Sequence, residues 1–315
     1  MRAMIMAAGL GERMRPISER RPKPLLPVLG RPLIDYVIDQ LRAVSIREIG
    51  INIHHLAFRI AAHLSREENR TLELVFSHEQ VIRGTGGGMA GLRDFLSGPE
   101  PFIVHNGDVF STIPLQEVLD FHKQKAPLVT MVLVDNPRIN TVTVTPEGIV
   151  TDISGQRSAC RIGIDRGLTF AGISVVDPAV LDHVPDTLHS NIIDPYLLLI
   201  ESKPGSICGY IPQHHYWIDV GTPAAYLQIH RDILLEGKAS ALFPPQERAG
   251  IHCAPGASID PGASLAGFIS LGENSRIEAA ASLQDCIIWE DTTIAANMHV
   301  SQGVLHDAWQ YHIST

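Results

Sequence analysis

Residues 7–28 read AAGLGERMRPISERRPKPLLPV, and they overlap the end of an apolar run from Arg2 to Ala8. The run is typical of a buried strand. Directly after it, Gly9-Leu10-Gly11 predicts a turn whose small residues let backbone N–H groups approach a ligand closely. The basic residues that follow are Arg13, Arg15, Arg20, Arg21 and Lys23. Because the whole chain has a formal net charge of −9, this local excess of positive charge predicts a polyphosphate site.

Two other phosphate-binding motifs fit this stretch poorly. A P-loop requires Gly-x4-Gly-Lys-Ser/Thr, which the stretch lacks. A dinucleotide-binding fingerprint requires a third small residue where Met14 stands, and its ribose-binding acid would be Asp35, inside a helical pattern. The cluster of arginines and lysine is not part of that fingerprint either. A phosphate site of another class is therefore the better interpretation.

Composition narrows the classes of protein further. The 315 residues are 45 % hydrophobic and 19 % charged, enough for one large α/β domain and a small module. The acidic balance argues against a nucleic-acid partner, and the apolar stretches are too short to span a membrane. The chain enters a strand at once without a signal-like apolar segment, so we expect a cytoplasmic protein. The four cysteines do not have the spacing of metal ligands, so we expect free thiols at Cys160, Cys208, Cys253 and Cys286.

Short apolar runs alternate with helical patterns over residues 1–135, which predicts a mostly parallel sheet with crossover helices. The expected strands are Arg2–Ala8, Glu48–Ile53, Leu72–Ser77, Pro101–His105 and Leu128–Val134. Residues 137–165 are rich in Gly, Pro, Thr and Asp, and predict hairpins or an insertion. Another strand is expected over Leu168–Val175, and helices over Ile192–Ile200 and Ala224–Leu235.

A six-residue repeat follows a linker at 241–250. Its aliphatic residues are Ile259, Leu265, Leu271, Ile277 and Leu283 and, after a slip of one residue, Ile288, Ile294 and Val300. The spacing favours a short left-handed parallel β-helix over 251–304, with a catalytic domain at 1–240 and a tail at 305–315. A hexapeptide acyltransferase has a longer array and a catalytic histidine, so acetyl transfer is the weaker interpretation. Exposed strand edges suggest that the β-helix packs on the catalytic domain or pairs with a second chain as a homo-oligomer.

The pattern Gly-x-Gly-x-Arg followed by Arg-Pro-Lys-Pro-Leu resembles the signature of the sugar nucleotidyltransferases. The resemblance implies a Rossmann-like nucleotidyltransferase domain. It also implies magnesium-dependent transfer of a nucleoside monophosphate from an NTP to a sugar 1-phosphate, with release of pyrophosphate. Gly11 and Arg13 would hold the β- and γ-phosphates. Lys23 would lie near the α-phosphate and the sugar phosphate, as the chief electrophilic stabiliser.

Further motifs in the family's order imply the remaining site residues. Asp108 of Asn-Gly-Asp and Asp219 of Trp-x-Asp-x-Gly-Thr would bind Mg²⁺, and Thr222 would cap the helix after the second motif. Asn106 and Gly172 would lie at the sugar. The nucleoside would be enclosed by Ala7, Ala8, Gly9, Glu79, Gly84 and Thr85, with the base edge read near Glu79.

One departure from the family leaves the sugar-phosphate anchor unassigned. Many members carry Glu-Lys-Pro before the sugar-side strand, whereas residues 152–157 here read DISGQR, and ESKP at 201–204 follows the strand instead. Residues 1–235 are most similar to a branch with mannose-1-phosphate guanylyltransferases and N-acetylmuramic acid-1-phosphate uridylyltransferases. This favours GTP with mannose 1-phosphate or a related hexose 1-phosphate, with uridylyl transfer as the alternative. A non-catalytic, regulatory relative would be expected to lose Lys23, Asp108 or Asp219, and all three are present.

Overall fold

The structure, a computed structural model, describes residues 1–153, 166–186, 189–243, 249–307 and 309–313. Backbone contacts divide the chain into two compact units. The first unit comprises Met1–Leu10 and Tyr36–Trp217, and the second comprises Gly11–Asp35 and Ile218–Thr315. Among the described residues, no helix has both the length and the apolar character needed to span a membrane.

The helices and strands are numbered here in chain order. The helices are α1 (Ile17–Arg20), α2 (Leu33–Ala43), α3 (Ala57–Leu64), α4 (Gly84–Ala90), α5 (Arg93–Leu96), α6 (Leu115–Lys125), α7 (Ile193–Ser202) and α8 (Pro223–Leu234). The strands are β1 (Arg2–Ala7), β2 (Pro27–Val28), β3 (Arg31–Pro32), β4 (Glu48–Ile53), β5 (Glu73–His78), β6 (Phe102–Asn106), β7 (Val109–Ser111), β8 (Val129–Val134), β9 (Val142–Val144), β10 (Val150–Ile153), β11 (Arg166–Val176), β12 (Ile207–Tyr210), β13 (Trp217–Asp219), β14 (Ile251–Cys253), β15 (Ser258–Ile259), β16 (Ser264–Leu271), β17 (Arg276–Ile277), β18 (Ser282–Ile288), β19 (Thr293–Ile294), β20 (His299–His306) and β21 (Trp309–His312). Short 3-10 turns lie at Glu12–Met14, Lys23–Leu25, Glu67–Asn69 and Pro178–His183.

The first unit is a mixed sheet with a parallel centre. Its order is β10-β9-β11-β6-β1-β4-β5, with β8 beside β11 and β12 beside β8. The run β6-β1-β4-β5 is parallel and Rossmann-like, which confirms the predicted mostly parallel sheet for this part. Strand β11, however, runs antiparallel to β6, β8 and β9, so the sheet as a whole is mixed.

Burial explains why the central strands are apolar along nearly their whole length. Ala3, Met4 and Ile5 of β1 are fully buried, as expected for a parallel strand that is covered on both faces. The expected hairpin is present as β9 and β10, which pair antiparallel. The rest of that expected segment, residues 154–165, lies outside the described residues.

In the second unit, short parallel strands stack at intervals of eighteen or seventeen residues. Sheet β14-β16-β18-β20 and sheet β15-β17-β19 are both parallel. Leu265 lies opposite Leu283, and Leu283 lies opposite Val300, so one coil has eighteen residues and the next has seventeen. The shorter coil matches the one-residue slip in the sequence repeat. Leu283 and Val300 belong to one buried aliphatic cluster.

The end of the repeat is also ordered. Strand β21 pairs antiparallel with β20 and covers the last edge of the larger sheet. The rings of Trp309 and Tyr311 on β21 stack with their centroids 6.2 Å apart. The tail that the sequence leaves without an assignment therefore includes a strand over Trp309–His312.

Candidate functional site

The first unit gathers predicted nucleotide-binding residues at the carboxyl ends of its parallel strands. Ala7 ends β1, and buried Ala8 and exposed Gly9 follow it. A Cβ atom on Gly9 would meet no atom within 4 Å, so this turn leaves room for a ligand. Carboxyl ends of parallel strands are where open α/β sheets bind ligands. The placement agrees with a site at this edge.

A buried hydrogen-bond network connects three neighbouring strand ends. The Ala7 N–H donates to Asn52 Oδ1 over 3.0 Å, and Asn52 Nδ2 donates to Glu79 Oε1 over 2.8 Å. The other carboxylate oxygen of Glu79 accepts from the Arg83 N–H over 2.8 Å. Glu79 is 2 % exposed, so both of its oxygens are committed inside the protein. That Glu79 reads the base edge stays a prediction. In this network Glu79 instead holds Asn52, whose side chain binds the Ala7 N–H.

The glycine-rich segment after Glu79 begins α4 with Gly84. The Gly86 N–H donates to the Ser190 carbonyl over 3.0 Å. Thr85 Oγ1 donates to Asn191 Oδ1 over 3.0 Å and accepts from the Ile192 N–H over 3.0 Å. The Thr85 hydroxyl is therefore occupied by protein partners, and its contact with a nucleotide stays a prediction.

The two residues predicted at the sugar lie together. Gly172 interrupts the β11–β8 register with a φ of +74°, a conformation that favours glycine. A Cβ atom there would lie 2.6 Å from Asn106 Nδ2, so any side chain at position 172 would clash with the Asn106 amide. The Trp217 ring donates from Nε1 to the Ala171 carbonyl over 2.9 Å, which supports the same stretch of β11.

Asp108 lies in the turn after β6. The preceding Gly107 N–H donates to the Met6 carbonyl over 2.9 Å, which ties the turn to the end of β1. One residue before Asn106, His105 is fully buried, and burial lowers the pKa of its imidazole to about 4. This histidine is therefore neutral at pH 7 and adds no charge to this edge of the sheet.

In the second unit, the signature motif packs Lys23 close to Gly11. Gly11 has a φ of +69°, and a Cβ atom there would lie 2.8 Å from the Ser18 Cβ. Ser18 Oγ donates to the Gly11 carbonyl over 2.8 Å. The same Cβ position is 3.5 Å from Lys23 Cγ, and Lys23 is only 9 % exposed. The fold therefore brings Gly11 and Lys23 together, although they are twelve residues apart.

Arg13 and Asp219, predicted at the phosphates and the metal, are neighbours in the second unit. Arg13 Nη2 lies 3.9 Å from Asp219 Oδ2, and both side chains have exposed surface. Thr222 Oγ1 accepts from the Ala225 N–H over 3.2 Å, which confirms the predicted N-cap of α8. Asp219 is the last residue of β13 and lies three residues before the N-cap of α8.

Neither metal ligation nor disulfide formation is evident in the part of the chain that the structure describes. No group of three or more His, Cys, Asp or Glu side chains there is arranged to hold a metal ion. Cys208, Cys253 and Cys286 form no disulfide, as expected, whereas Cys160 lies outside the described residues.

Sequence reasoning missed several residues that shape the site. Asn52 was detectable, because it is the polar residue in the otherwise apolar end of β4. Ser190 gave no comparable signal, since its carbonyl rather than its side chain binds the glycine segment.

Comparisons with known proteins identify the family that this chain resembles. The Nucleotidyl transferase family matches residues 2–141. An N-acetylmuramate alpha-1-phosphate uridylyltransferase from Neisseria meningitidis serogroup B is 31 % identical over 227 residues, which cover 70 % of this chain and 94 % of that protein. A mannose-1-phosphate guanylyltransferase from Mycobacterium tuberculosis is 26 % identical over 299 residues, which cover 93 % of this chain and 81 % of that protein.

A solved structure supports the fold. It is a Bacillus anthracis protein assigned as a glucose-1-phosphate thymidylyltransferase, with a TM-score of 0.63 and 17 % identity, covering 73 % of this chain and 93 % of that one. At this identity the similarity shows the fold alone. Taken with the sequence relatives, the findings confirm the predicted family: the chain belongs to the sugar-1-phosphate nucleotidyltransferases.

Proposed function

We propose that this chain transfers a nucleoside monophosphate from an NTP to a sugar 1-phosphate, giving a nucleotide sugar and pyrophosphate. A phosphate oxygen of the sugar 1-phosphate forms a bond to the α-phosphorus. The bond from that phosphorus to the bridging oxygen breaks, and pyrophosphate leaves with the electron pair. The observation that carries the proposal is the packing of buried Lys23 beside Gly11 in the family signature.

The residues act through position and charge. The reaction joins two anions, so the protein must hold them together and offset the negative charge that develops at the α-phosphate. Lys23 supplies a cation with little solvent around it, where its electrostatic effect is strongest. Arg13, largely exposed and 3.9 Å from Asp219, is free to turn toward the β- and γ-phosphates of the leaving group.

A divalent cation, most simply Mg²⁺, completes the proposal. Two carboxylates, Asp108 and Asp219, are oxygen donors suited to a hard cation that keeps most of its waters and binds with the nucleotide. When bound, the cation would offset charge on the triphosphate.

The favoured substrates are GTP and mannose 1-phosphate or a related hexose 1-phosphate. This choice follows the guanylyltransferase relative, whose alignment covers 93 % of this chain and so includes the repeat region. Uridylyl transfer is the second candidate. It is favoured by the 31 % identity to the N-acetylmuramate alpha-1-phosphate uridylyltransferase, whose alignment covers 70 % of this chain.

The domain organisation belongs to the same proposal. The proposed domains are residues 1–240 for nucleotidyl transfer, 251–304 for a left-handed parallel β-helix and 305–315 for the tail. The linker is proposed at 241–250, and residues 244–248 of it, like 308, 314 and 315 of the tail, lie outside the described residues. The successive coils of eighteen and seventeen residues in the second unit support the β-helix. Pairing of two chains through the β-helix is part of the proposal and predicts a dimer in sedimentation.

The test is pyrophosphate release by purified protein with Mg²⁺, across GTP, UTP, dTTP, ATP and CTP against several hexose 1-phosphates. We expect release that requires both one NTP and one sugar 1-phosphate, and that stops when EDTA replaces the metal. Mannose 1-phosphate with GTP should give the highest kcat/KM. Release without a sugar phosphate, or binding of nucleotide sugars without any turnover, contradicts the proposal.

A further inference from the structure

An arginine of the signature motif is bound by the C-terminal repeat. Arg21 donates from Nη1 to Glu290 Oε2 over 3.1 Å and from Nη2 to Glu290 Oε1, so the pair is bidentate. The Arg21 guanidinium also lies 4.4 Å from the ring centroid of Trp289. The Arg21 side chain is 17 % exposed. Partial burial and planar, two-point geometry distinguish this contact from an ordinary surface ion pair.

The charge state of the pair is stable at neutral pH. Burial of Glu290 acts to raise the pKa of its carboxyl, but the hydrogen bond and charge of Arg21 outweigh it, leaving that pKa below its usual value. Glu290 is therefore ionised when the protein works near pH 7.

Besides the Arg21–Glu290 ion pair, uncharged hydrogen bonds also connect the repeat with the signature stretch. Trp289 Nε1 donates to Tyr226 Oη over 3.1 Å, and Tyr226 Oη donates to the Pro27 carbonyl over 2.7 Å. Trp289 and Tyr226 are almost completely buried. Tyr226 lies on α8, the helix that begins directly after the Asp219 motif. Trp289 of the repeat thus holds the α8 hydroxyl that binds the end of the signature stretch at Pro27.

These contacts lie on both sides of Lys23 in the sequence. Arg21 lies two residues before Lys23, with Pro22 between them, and Pro27 lies four residues after it. The Pro22 ring fixes φ, so little backbone freedom separates the Arg21 anchor from the lysine. Holding the Arg21 side chain therefore restrains the backbone that leads into Lys23.

We propose that Glu290 and Trp289 hold Arg21 and thereby position Lys23, so that the repeat is a working support of the transfer reaction. This inference rests on the proposed function. Arg21, Trp289 and Glu290 are positioning residues that touch no substrate. Misplacement of a reacting group by about 1 Å costs up to about a hundredfold in rate, so loss of this support is expected to affect kcat.

The test compares charge-neutral variants of two glutamates in the repeat. Glu290→Gln keeps the side-chain size and removes the charge that Arg21 binds. Glu273→Gln makes the same chemical change at an exposed position and is the matched control. Each variant is assayed for kcat and KM with both substrates, and hydrogen exchange is followed over the Lys23 segment, residues 17–26, without ligand.

For Glu290→Gln we expect kcat to fall about tenfold, KM values to change less than about twofold, and exchange to quicken within the Lys23 segment. Arg21→Ala should behave in the same way, and Arg21→Lys, which keeps one charge but not the two-point geometry, should lie between. Combining Arg21→Ala with Glu290→Gln should add no further loss, because either change removes the same contact.

Two results overturn the inference. One is wild-type kcat in both Arg21→Ala and Glu290→Gln. The other is faster exchange throughout the repeat with a lowered Tm, because a general loss of structure would then explain any fall in kcat. If the wild-type protein turns over no substrate pair, the proposed function fails separately. Hydrogen exchange then tests the positioning contact by itself. Faster exchange within the Lys23 segment of Glu290→Gln supports the contact, and unchanged exchange there overturns it.

Discussion

The two units hold their predicted site residues by different means. In the first unit, Ala7, Asn52 and Glu79 meet because they end neighbouring parallel strands, and short hydrogen bonds join them. In the second unit, the signature stretch is held by partners far away in the chain. Arg21 and Glu290 are 269 residues apart, and Pro27 and Tyr226 are 199 residues apart.

This difference explains what each part of the sequence can predict. An apolar strand pattern that stops at a given residue places that residue at the carboxyl edge of a parallel sheet. The sequence alone therefore locates Ala7, Asn52 and Glu79. Contacts between distant segments form only in the folded protein, and no local sequence pattern predicts them. The second unit is therefore where substitutions outside the family motifs should affect the reaction most.

The largest expected effect comes from removing one charged group in each unit. Lys23→Ala and Asp108→Asn should each lower kcat by about a thousandfold or more, because each removes charge stabilisation at the reacting phosphates. Circular dichroism and Tm should stay near the wild-type values. Near-normal turnover in either folded variant would remove that residue from the mechanism.

Acid pH should weaken the second unit through a buried histidine. His230 donates from Nδ1 to the Tyr226 carbonyl, and burial lowers the pKa of its imidazole from 6.5 to about 4. Between these values the unfolded chain binds a proton that the folded chain does not. Stability is therefore full above pH 6.5 and is lost as pH falls toward 4, by about 3 kcal/mol.

Urea unfolding near pH 7 and near pH 4 measures this loss. His230→Gln should have a lower free energy of unfolding near pH 7 but a smaller decrease toward pH 4. The exposed His299→Gln is the control and should follow the wild-type protein. An unchanged pH dependence in His230→Gln would show that this imidazole is not the source.

A smaller loss should follow removal of the buried hydroxyl that joins α8 to the signature stretch. Tyr226→Phe leaves the Pro27 carbonyl and Trp289 Nε1 without their partner, which should cost about 2 kcal/mol of unfolding free energy. Tyr210→Phe deletes an exposed hydrogen bond to Glu117 and should cost less than about 0.5 kcal/mol. Equal losses in urea unfolding would contradict the special position of Tyr226.

The smallest effect is expected in the first unit. Glu79→Gln keeps the shape of the side chain but replaces one acceptor oxygen with a donor, opposite either Asn52 Nδ2 or the Arg83 N–H. We expect a loss of about 1 kcal/mol in NTP binding, seen as a several-fold rise in KM with little change in kcat. A change in the preferred base would instead support the prediction that Glu79 reads the base edge.

Much of the fold is predictable from the sequence. Strand β4 begins and ends at the predicted residues, Glu48 and Ile53, and the stacking of Leu283 on Val300 follows the slip in the repeat. The antiparallel β11 was not separable from a parallel strand, because both produce the same apolar run. Site geometry was less accessible: nothing near Arg21 or Glu290 in the sequence shows that the two pair.

The most direct test of the central claim follows oxygen atoms through the reaction. A sugar 1-phosphate with ¹⁸O in its non-bridging phosphate positions is incubated with the preferred NTP, Mg²⁺ and the wild-type protein, and the products are weighed by mass spectrometry. Attack by the sugar phosphate on the α-phosphorus predicts that all of the label stays in the nucleotide sugar and that pyrophosphate carries none. Label in pyrophosphate would contradict the proposed reaction.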